Sequence, residues 1–177
     1  AAQAATALAS GLKRSGHDVV ELPLADGGEG TLDVLGGPNK SMVVTGPLGD
    51  PVEAPWRLFK GTAVIEMARA SGIALVGGAE GNDPLSAATT GTGELISTAV
   101  EMGAKQVIVA LGGSATTDGG LGALRAMYPL ARLAGVELIV ACDVLTPFLE
   151  AADVFGPQKG ATPAQVALLR RRLAALA

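Results

Sequence analysis

The stretch Ala110 to Gly120, ALGGSATTDGG, sets four glycines, one serine, two threonines and one aspartate at the end of the apolar run QVIVAL. A strand end that runs through such a loop into LGALRAM places a nest of backbone N–H groups at a helix start, and a nest of that kind suits an anion. Gly112, Gly113 and Gly119 let the backbone approach a phosphate without side-chain clash, Ala115 keeps the loop slim, and Ser114, Thr116 and Thr117 add hydroxyls. Asp118 does not belong in a pure anion site. It either holds Mg2+ or accepts a proton from a reacting hydroxyl, as in phosphoryl transfer, or it caps the following helix while the glycines turn the chain.

The same recipe recurs at other strand ends. VVELPL runs into ADGGEGTLDVL, which offers Asp26, Gly27, Gly28, Glu29, Gly30 and Thr31. VELIVA runs into CDV and so presents Asp143, and VFGPQKGATP brings Lys159 into a glycine-flanked turn before a helix. Gathered on one rim, these residues are what a metal-dependent phosphoryl transferase needs: carboxylates for metal and base, amides and hydroxyls for phosphate, and a cation against developing charge. Each has a plainer reading too, with Asp26 as a turn residue, Glu29 as a first-turn helix acid and Asp143 as a loop initiator.

The elements that must position them alternate along the chain. AAQAATALASGLKRSG has Ala5, Leu8, Ala9 and Leu12 on one helical face and Gly16 as its stop. DVVELPL reads as a strand, and TAVIEMA, KQVIVAL and VELIVA as short strands buried on both faces. GTGELISTAVEMG reads as a helix stopped by Gly103. In ATPAQVALLRRRLAALA, Thr162, Pro163 and Gln165 form a capping box with proline at the first helical position, above an apolar stripe of Val166, Leu169, Leu173 and Leu176. Arg170, Arg171 and Arg172 favour the helix C-terminal dipole and a solvated surface. The pattern predicts an α/β fold: three layers, α/β/α, around a largely parallel sheet, in two lobes with a cleft between them. In such sheets ligands sit outside the carboxyl ends of the strands, where the unusual loops are.

Composition narrows the function classes. A chain of 177 residues that is 49% hydrophobic can bury an ordinary core. Its net charge of -4 and its 3% aromatic content argue against nucleic acid as a partner, and point to a small solute. One cysteine, Cys142, excludes an intrachain disulfide framework and a CxxC zinc site and fits a reducing cytoplasm. No apolar run is long enough to span a bilayer. There is neither a Walker A loop nor a G-x-G-x-x-G fingerprint, Ser114 has no histidine to activate it, and the single His17 lies in a turn.

Seven ordered stretches, PLADGGEGT, VTGPLGDPVEAPW, AVIEMARASG, GTGELI, GGSATTDGG, ACDV and FGPQKGATP, closely resemble the bacterial glycerate kinases that are unrelated to P-loop kinases. The resemblance runs over essentially the whole chain. It implies a cytoplasmic enzyme that uses ATP and Mg2+ to phosphorylate D-glycerate, usually to 2-phosphoglycerate and otherwise to 3-phosphoglycerate, and it leaves room for a homo-oligomer. On that reading Asp26 is the general base or a metal ligand, Glu29 supports it, Asp118 binds metal or orients the acceptor, Lys159 steadies the transferring group, and Asp143 is a weaker candidate. A non-catalytic anion-binding module and a nicotinamide-dependent oxidoreductase are the competing classes.

The chain departs from the family's pattern in several places. An opening strand of the APDSFKG type and a glycine-rich carboxyl half are expected to be missing, making residues 1–177 an incomplete α/β region. The joints between RAMYPL and ARLAGVELIV and between DVLTPF and LEAADVFGPQKG look shortened. Thr117 stands where the family usually has asparagine, and Leu145, Thr146 and Phe148 replace parts of a TNPL turn.

Overall fold

The apolar runs around TAVIE and QVIVA form the centre of a five-stranded sheet in the computed structural model, which describes residues 2–177. Strands β1 (Lys40–Thr45), β2 (Pro51–Phe59), β3 (Thr62–Glu66), β4 (Gln106–Ala110) and β5 (Glu137–Ala141) lie side by side in chain order. The α/β class holds, but the sheet is mixed rather than largely parallel. β1 with β2 and β2 with β3 are antiparallel, and only β3–β4 and β4–β5 are parallel. The cause is connection length, because residues 46–50 and 60–61 are too short for a crossover. Lys60 and Gly61 both take positive φ, +49° and +80°, as a two-residue type I′ hairpin requires.

Alternation along the strands sorts the two faces. Ala63 and Ile65 of β3 join Val107 and Val109 of β4, Trp56 of β2 and Leu95, Ile96 and Ala99 of α4 (Thr90–Glu101) in the main core. Helix α5 (Leu121–Ala126) packs on α4 on that side. The short α2 (Thr31–Val34), with Leu32 buried, packs against β3 on the opposite side, so helices flank both faces. A second cluster joins Ala152 of α6 (Ala151–Phe155) to Val166, Leu169 and Leu173 of α7 (Pro163–Ala174). The predicted capping box is present at α7: Gln165 N–H donates to Thr162 Oγ1 at 3.4 Å and Thr162 N–H to Gln165 Oε1 at 2.8 Å. Of the arginines, Arg170 pairs with Asp153 and Arg172 donates to the Leu85 carbonyl.

Four expectations are corrected. Residues 17–26, including VVELPL, belong to no ladder, and Val20, Leu22 and Leu24 are exposed; without a strand partner for its amides the apolar run stays irregular, and Pro23 has no N–H to offer. β5 is not buried on both faces, since Leu138 and Val140 are half-exposed. On α1 (Ala2–Arg14) Ala9 is buried while Leu8 and Leu12 are exposed, and Leu176 leaves the α7 stripe. The first residue of the predicted amino-terminal helix, Ala1, lies outside the described residues.

For function the decisive feature is register. Glu66 pairs with Ala110 and Ala110 with Ala141, so β3, β4 and β5 end level and their following loops leave from one rim.

Candidate active site

The loops at that rim are fastened by main chain. Gly112 N–H donates to the Gly27 carbonyl at 2.8 Å, Leu111 N–H to the Ala141 carbonyl at 3.1 Å, and Met67 N–H to the Ala110 carbonyl at 3.0 Å. Ile73 N–H donates to Gly113 O and Ala115 N–H to Ser71 O, each at 2.9 Å, which ties the 112–115 loop to the segment after β3. No side chain fits at two of the points where these loops meet. A Cβ on Gly27, whose φ is +91°, would lie 2.5 Å from the Ala141 carbonyl oxygen, and one on Gly112 would lie 2.4 Å from Gly28 Cα. The geometry brings together loops whose meeting the sequence leaves as a condition.

Among the loops is a cavity of about 550 Å3 whose walls include Gly27, Gly112, Gly113, Ser114, Asp143 and Lys159. Among the described residues, the amides of Gly113 and Ser114 donate to no protein acceptor, as an anion nest requires. Lys159 is 9% exposed and donates from Nζ to Ser114 Oγ at 2.8 Å and to the Thr116 carbonyl at 2.5 Å. Burial pushes its pKa down to about 8, partly offset by the Asp118 carboxylate. Its loop is held by Asn82, whose Nδ2 donates to the carbonyls of Lys159 and Ala115 at 2.8 and 3.0 Å.

Several predicted residues are used elsewhere. Asp118 does not face this cavity. Its Oδ2 accepts from Thr89 N–H at 2.9 Å, Thr89 Oγ1 at 2.7 Å and Gly122 N–H at 3.0 Å, and its Oδ1 from Gly120 N–H at 3.2 Å. It thereby joins the starts of α4 and α5, which is the capping alternative, with Oδ2 fully engaged and Oδ1 holding a single hydrogen bond. Ala115 and Thr116 are buried behind the rim, and Gly119 faces Phe148 and Leu173. Thr31 is buried and donates from Oγ1 to Gly28 O at 2.7 Å, locking the loop, while Gly30 supplies the left-handed start of α2 at φ +93°.

Three carboxylates remain exposed: Asp26, Glu29 and Asp143. Asp26 Oδ1 accepts from Gly28 N–H at 2.8 Å, which is the turn role, and among the described residues Oδ2 has no protein partner. Glu29 lies against Gly113, since a Cβ there would be 3.4 Å from Glu29 Oε1. Among the described residues no cluster of three or more His, Cys, Asp or Glu could hold a metal ion by itself. That donor set does not form a protein cage for Mg2+, but it fits an ion carried on a substrate's phosphates and touched by one carboxylate or two.

Sequence reading missed Glu66, a carboxylate at the end of β3 that is 1% exposed. It accepts from Leu32 N–H at 2.7 Å and from Arg69 Nε at 3.0 Å. The signal was an acidic residue closing the buried run TAVIE. Asn82 and Thr89, which brace the loops, stand in no motif that marks them as site residues.

The model of the Glycerate kinase family matches residues 1–128 and 129–177. The chain belongs to the glycerate kinase family. Glycerate kinase of Bacillus subtilis strain 168 is 43% identical over 201 residues, which cover 92% of this chain and 52% of that protein. Glycerate 2-kinase of Escherichia coli K12 is 38% identical over 212 residues, 98% of this chain and 55% of that protein. The crystal structure of a "putative glycerate kinase 2" from Salmonella typhimurium LT2 superposes with a TM-score of 0.82 at 36% identity, covering 97% of this chain and 57% of that one. The chain spans about half the length of the curated relatives it matches. The two stretches matched by the glycerate kinase family model meet at Tyr128 and Pro129. No described helix is long and apolar enough to cross a membrane.

Within this glycerate kinase family chain, Asp118 is expected to act through stability. Asp118→Asn turns an amide toward the N–H donors it now satisfies and should cost about 2–4 kcal/mol in urea unfolding, whereas Asp143→Asn should unfold like the parent. An Asp118→Asn protein of parental stability but without turnover would return Asp118 to the chemistry.

Proposed function

We propose that the protein transfers the γ-phosphoryl group of ATP to a hydroxyl of D-glycerate, giving 2-phosphoglycerate or 3-phosphoglycerate, as a cytoplasmic enzyme whose cleft closes between two lobes. The observation that carries this reading is the meeting of a buried lysine with the unpartnered Gly113 and Ser114 amides on one cavity at the carboxyl ends of three parallel strands. Membership of the glycerate kinase family supports the acceptor, and the name of the Escherichia coli relative favours the 2-position.

In this reading phosphate oxygens lie against the Gly113 and Ser114 amides and the Lys159 ammonium, which hold charge in place while it redistributes. The acceptor hydroxyl lies beside the 26–31 loop. Asp26 takes its proton on Oδ2, its Oδ1 being fixed by Gly28 N–H, with Glu29 in support. The hydroxyl oxygen bonds to the γ-phosphorus, the bond from that phosphorus to the bridging oxygen breaks, and ADP leaves. Magnesium bound to the ATP phosphates would supply charge neutralisation, with Asp143 as the carboxylate free to touch it and Asp26 as a ligand only where it is not the base.

A coupled assay of ADP release with D-glycerate and Mg-ATP, followed by phosphorus NMR of the product, tests the proposal. Glycerate-dependent turnover is expected, and the spectrum assigns the phosphorylated carbon. No turnover from the intact, folded protein would overturn the kinase reading in favour of an anion-binding module. Replacing Asp26 by Asn should lower kcat by about 100- to 10,000-fold while the unfolding curve stays in place; parental turnover would remove Asp26 from the role of base.

Lys159 adds a pH signature. Its ammonium is the useful form, and burial has brought its pKa to about 8. The kcat/KM for ATP should therefore be full below that pH and fall as pH rises through it. Lys159→Met should lower turnover and abolish that alkaline limb; a limb unchanged in the variant would assign it to another group.

A further inference from the structure

We infer that Arg69 is the residue that recognises the acceptor's carboxylate, held in position by Glu66. This rests on the kinase reading and names a recognition element for its substrate.

The argument begins with the cost of Glu66. A carboxylate 1% exposed needs partners for both oxygens, and it has one on each: Leu32 N–H at 2.7 Å and Arg69 Nε at 3.0 Å. The pair is unequal. Glu66 is wholly enclosed, whereas the Arg69 side chain is 43% exposed. Arg69 therefore spends its inner Nε edge on Glu66, and among the described residues its Nη1 and Nη2 groups have no protein acceptor. A guanidinium anchored at one edge and free at the other offers a preset fork for a planar carboxylate.

Its place suits that use. Arg69 lies in α3 (Ala68–Ser71), immediately after β3. A Cβ on Gly113 would lie 3.2 Å from Ala68 Cβ and 3.4 Å from Glu29 Oε1. The nest loop thus touches the start of α3 and the 26–31 loop through Gly113, and touches Lys159 through Ser114. Glu66 links the same two segments a second time, since it accepts from Leu32 of α2 as well as from Arg69. Of the two cations, Lys159 donates to Ser114 and Thr116, and Arg69 keeps unspent donors. With Arg69 next in the chain to Ala68, the residue that meets Gly113, a short hydroxy acid held by both would turn its hydroxyl toward the phosphate nest and its carboxylate toward Arg69.

The test compares D-glycerate with D-glyceramide, the acceptor in which a neutral amide replaces the carboxylate, in steady-state kinetics of the parent, Arg69→Gln and Arg69→Lys. Arg69→Gln should raise the KM for D-glycerate about 100-fold, the scale of a charged hydrogen-bonded pair. It should leave the KM for ATP and the kcat/KM for D-glyceramide at parental values, so that the preference for the acid collapses. Arg69→Lys should recover part of that preference. Glu66→Gln should give a smaller loss of the same preference, because the guanidinium is no longer fixed. If the parent turns over D-glycerate and Arg69→Gln keeps its KM and its preference over the amide, the Arg69 assignment falls and the kinase reading survives. If both acceptors suffer equally, Arg69 is only structural and the assignment also falls. A parent that does not turn over D-glycerate overturns the kinase reading itself.

Discussion

Everything at the rim depends on main chain approaching main chain at two points where no side chain fits. At Gly27 the 26–31 loop passes under the end of β5, and at Gly112 the loop after β4 passes against Gly28. A methyl group at either place would meet backbone atoms at 2.5 or 2.4 Å, and backbone cannot rotate away as a flexible side chain can. These contacts hold the nest loop at the cavity, where among the described residues its Gly113 and Ser114 amides have no protein acceptor. Glycine is thus required here for closeness as much as for conformational freedom. The level ends of β3, β4 and β5 supply the platform, and the main-chain fastening makes one site of three loops.

Two charges are buried in that platform, and the fold treats them differently. Glu66 is paired on both oxygens and serves as an anchor. Lys159 donates to a hydroxyl and a carbonyl, neither of which carries a full negative charge, so burial is felt as a lowered pKa. A lysine in that state gains more from an incoming phosphate than a solvated lysine would, because the phosphate returns the stabilisation that water gave. Above the lowered pKa, anion binding and proton uptake become one event. Asp118 moderates this from the rear while its oxygens clamp α4 to α5, so one carboxylate serves both the scaffold and the field at the site.

The parts of the fold legible in the sequence were those dictated by local chemistry. TAVIE, QVIVA and ELIVA became strands, and T-P-A-Q opened α7 with both capping hydrogen bonds in place. The hairpin of β1 and β2 was missed because Pro51 and Pro55 interrupt PVEAPWRLF, and proline normally argues against a strand. β2 tolerates them because β3 pairs only with Arg57, Leu58 and Phe59, so along Pro51 and Pro55 β2 is paired with β1 alone, and its Trp56 fills the core. VVELPL failed in the opposite direction: its composition favours a strand, but strand formation needs a partner that composition cannot supply. The same limit applied to the site. Glycine loops with carboxylates gave the rim, yet whether a carboxylate faced the cavity or a helix end was a tertiary question. The sequence left Asp118 open between those two uses, and Thr89, Gly120 and Gly122 decide it. Glu66 was hidden for a related reason, since its burial depends on Leu32 arriving from another segment.

The two rim cations also differ in the anion each can serve. A phosphoryl group changes shape as it moves between oxygens, and a compact ammonium can follow it without a preferred orientation. A carboxylate that takes no part in bond making keeps its plane, and a rigid guanidinium fork reads that plane. Lys159 meets Ser114 of the nest loop, while Gly113 of the same loop meets Ala68, the residue before Arg69. Exchanging the cations would put a rigid fork where charge must shift and a freely rotating donor where orientation must be fixed. The chain instead anchors its guanidinium through a buried carboxylate and leaves its ammonium desolvated, the arrangement expected if one end of the substrate reacts and the other is held still.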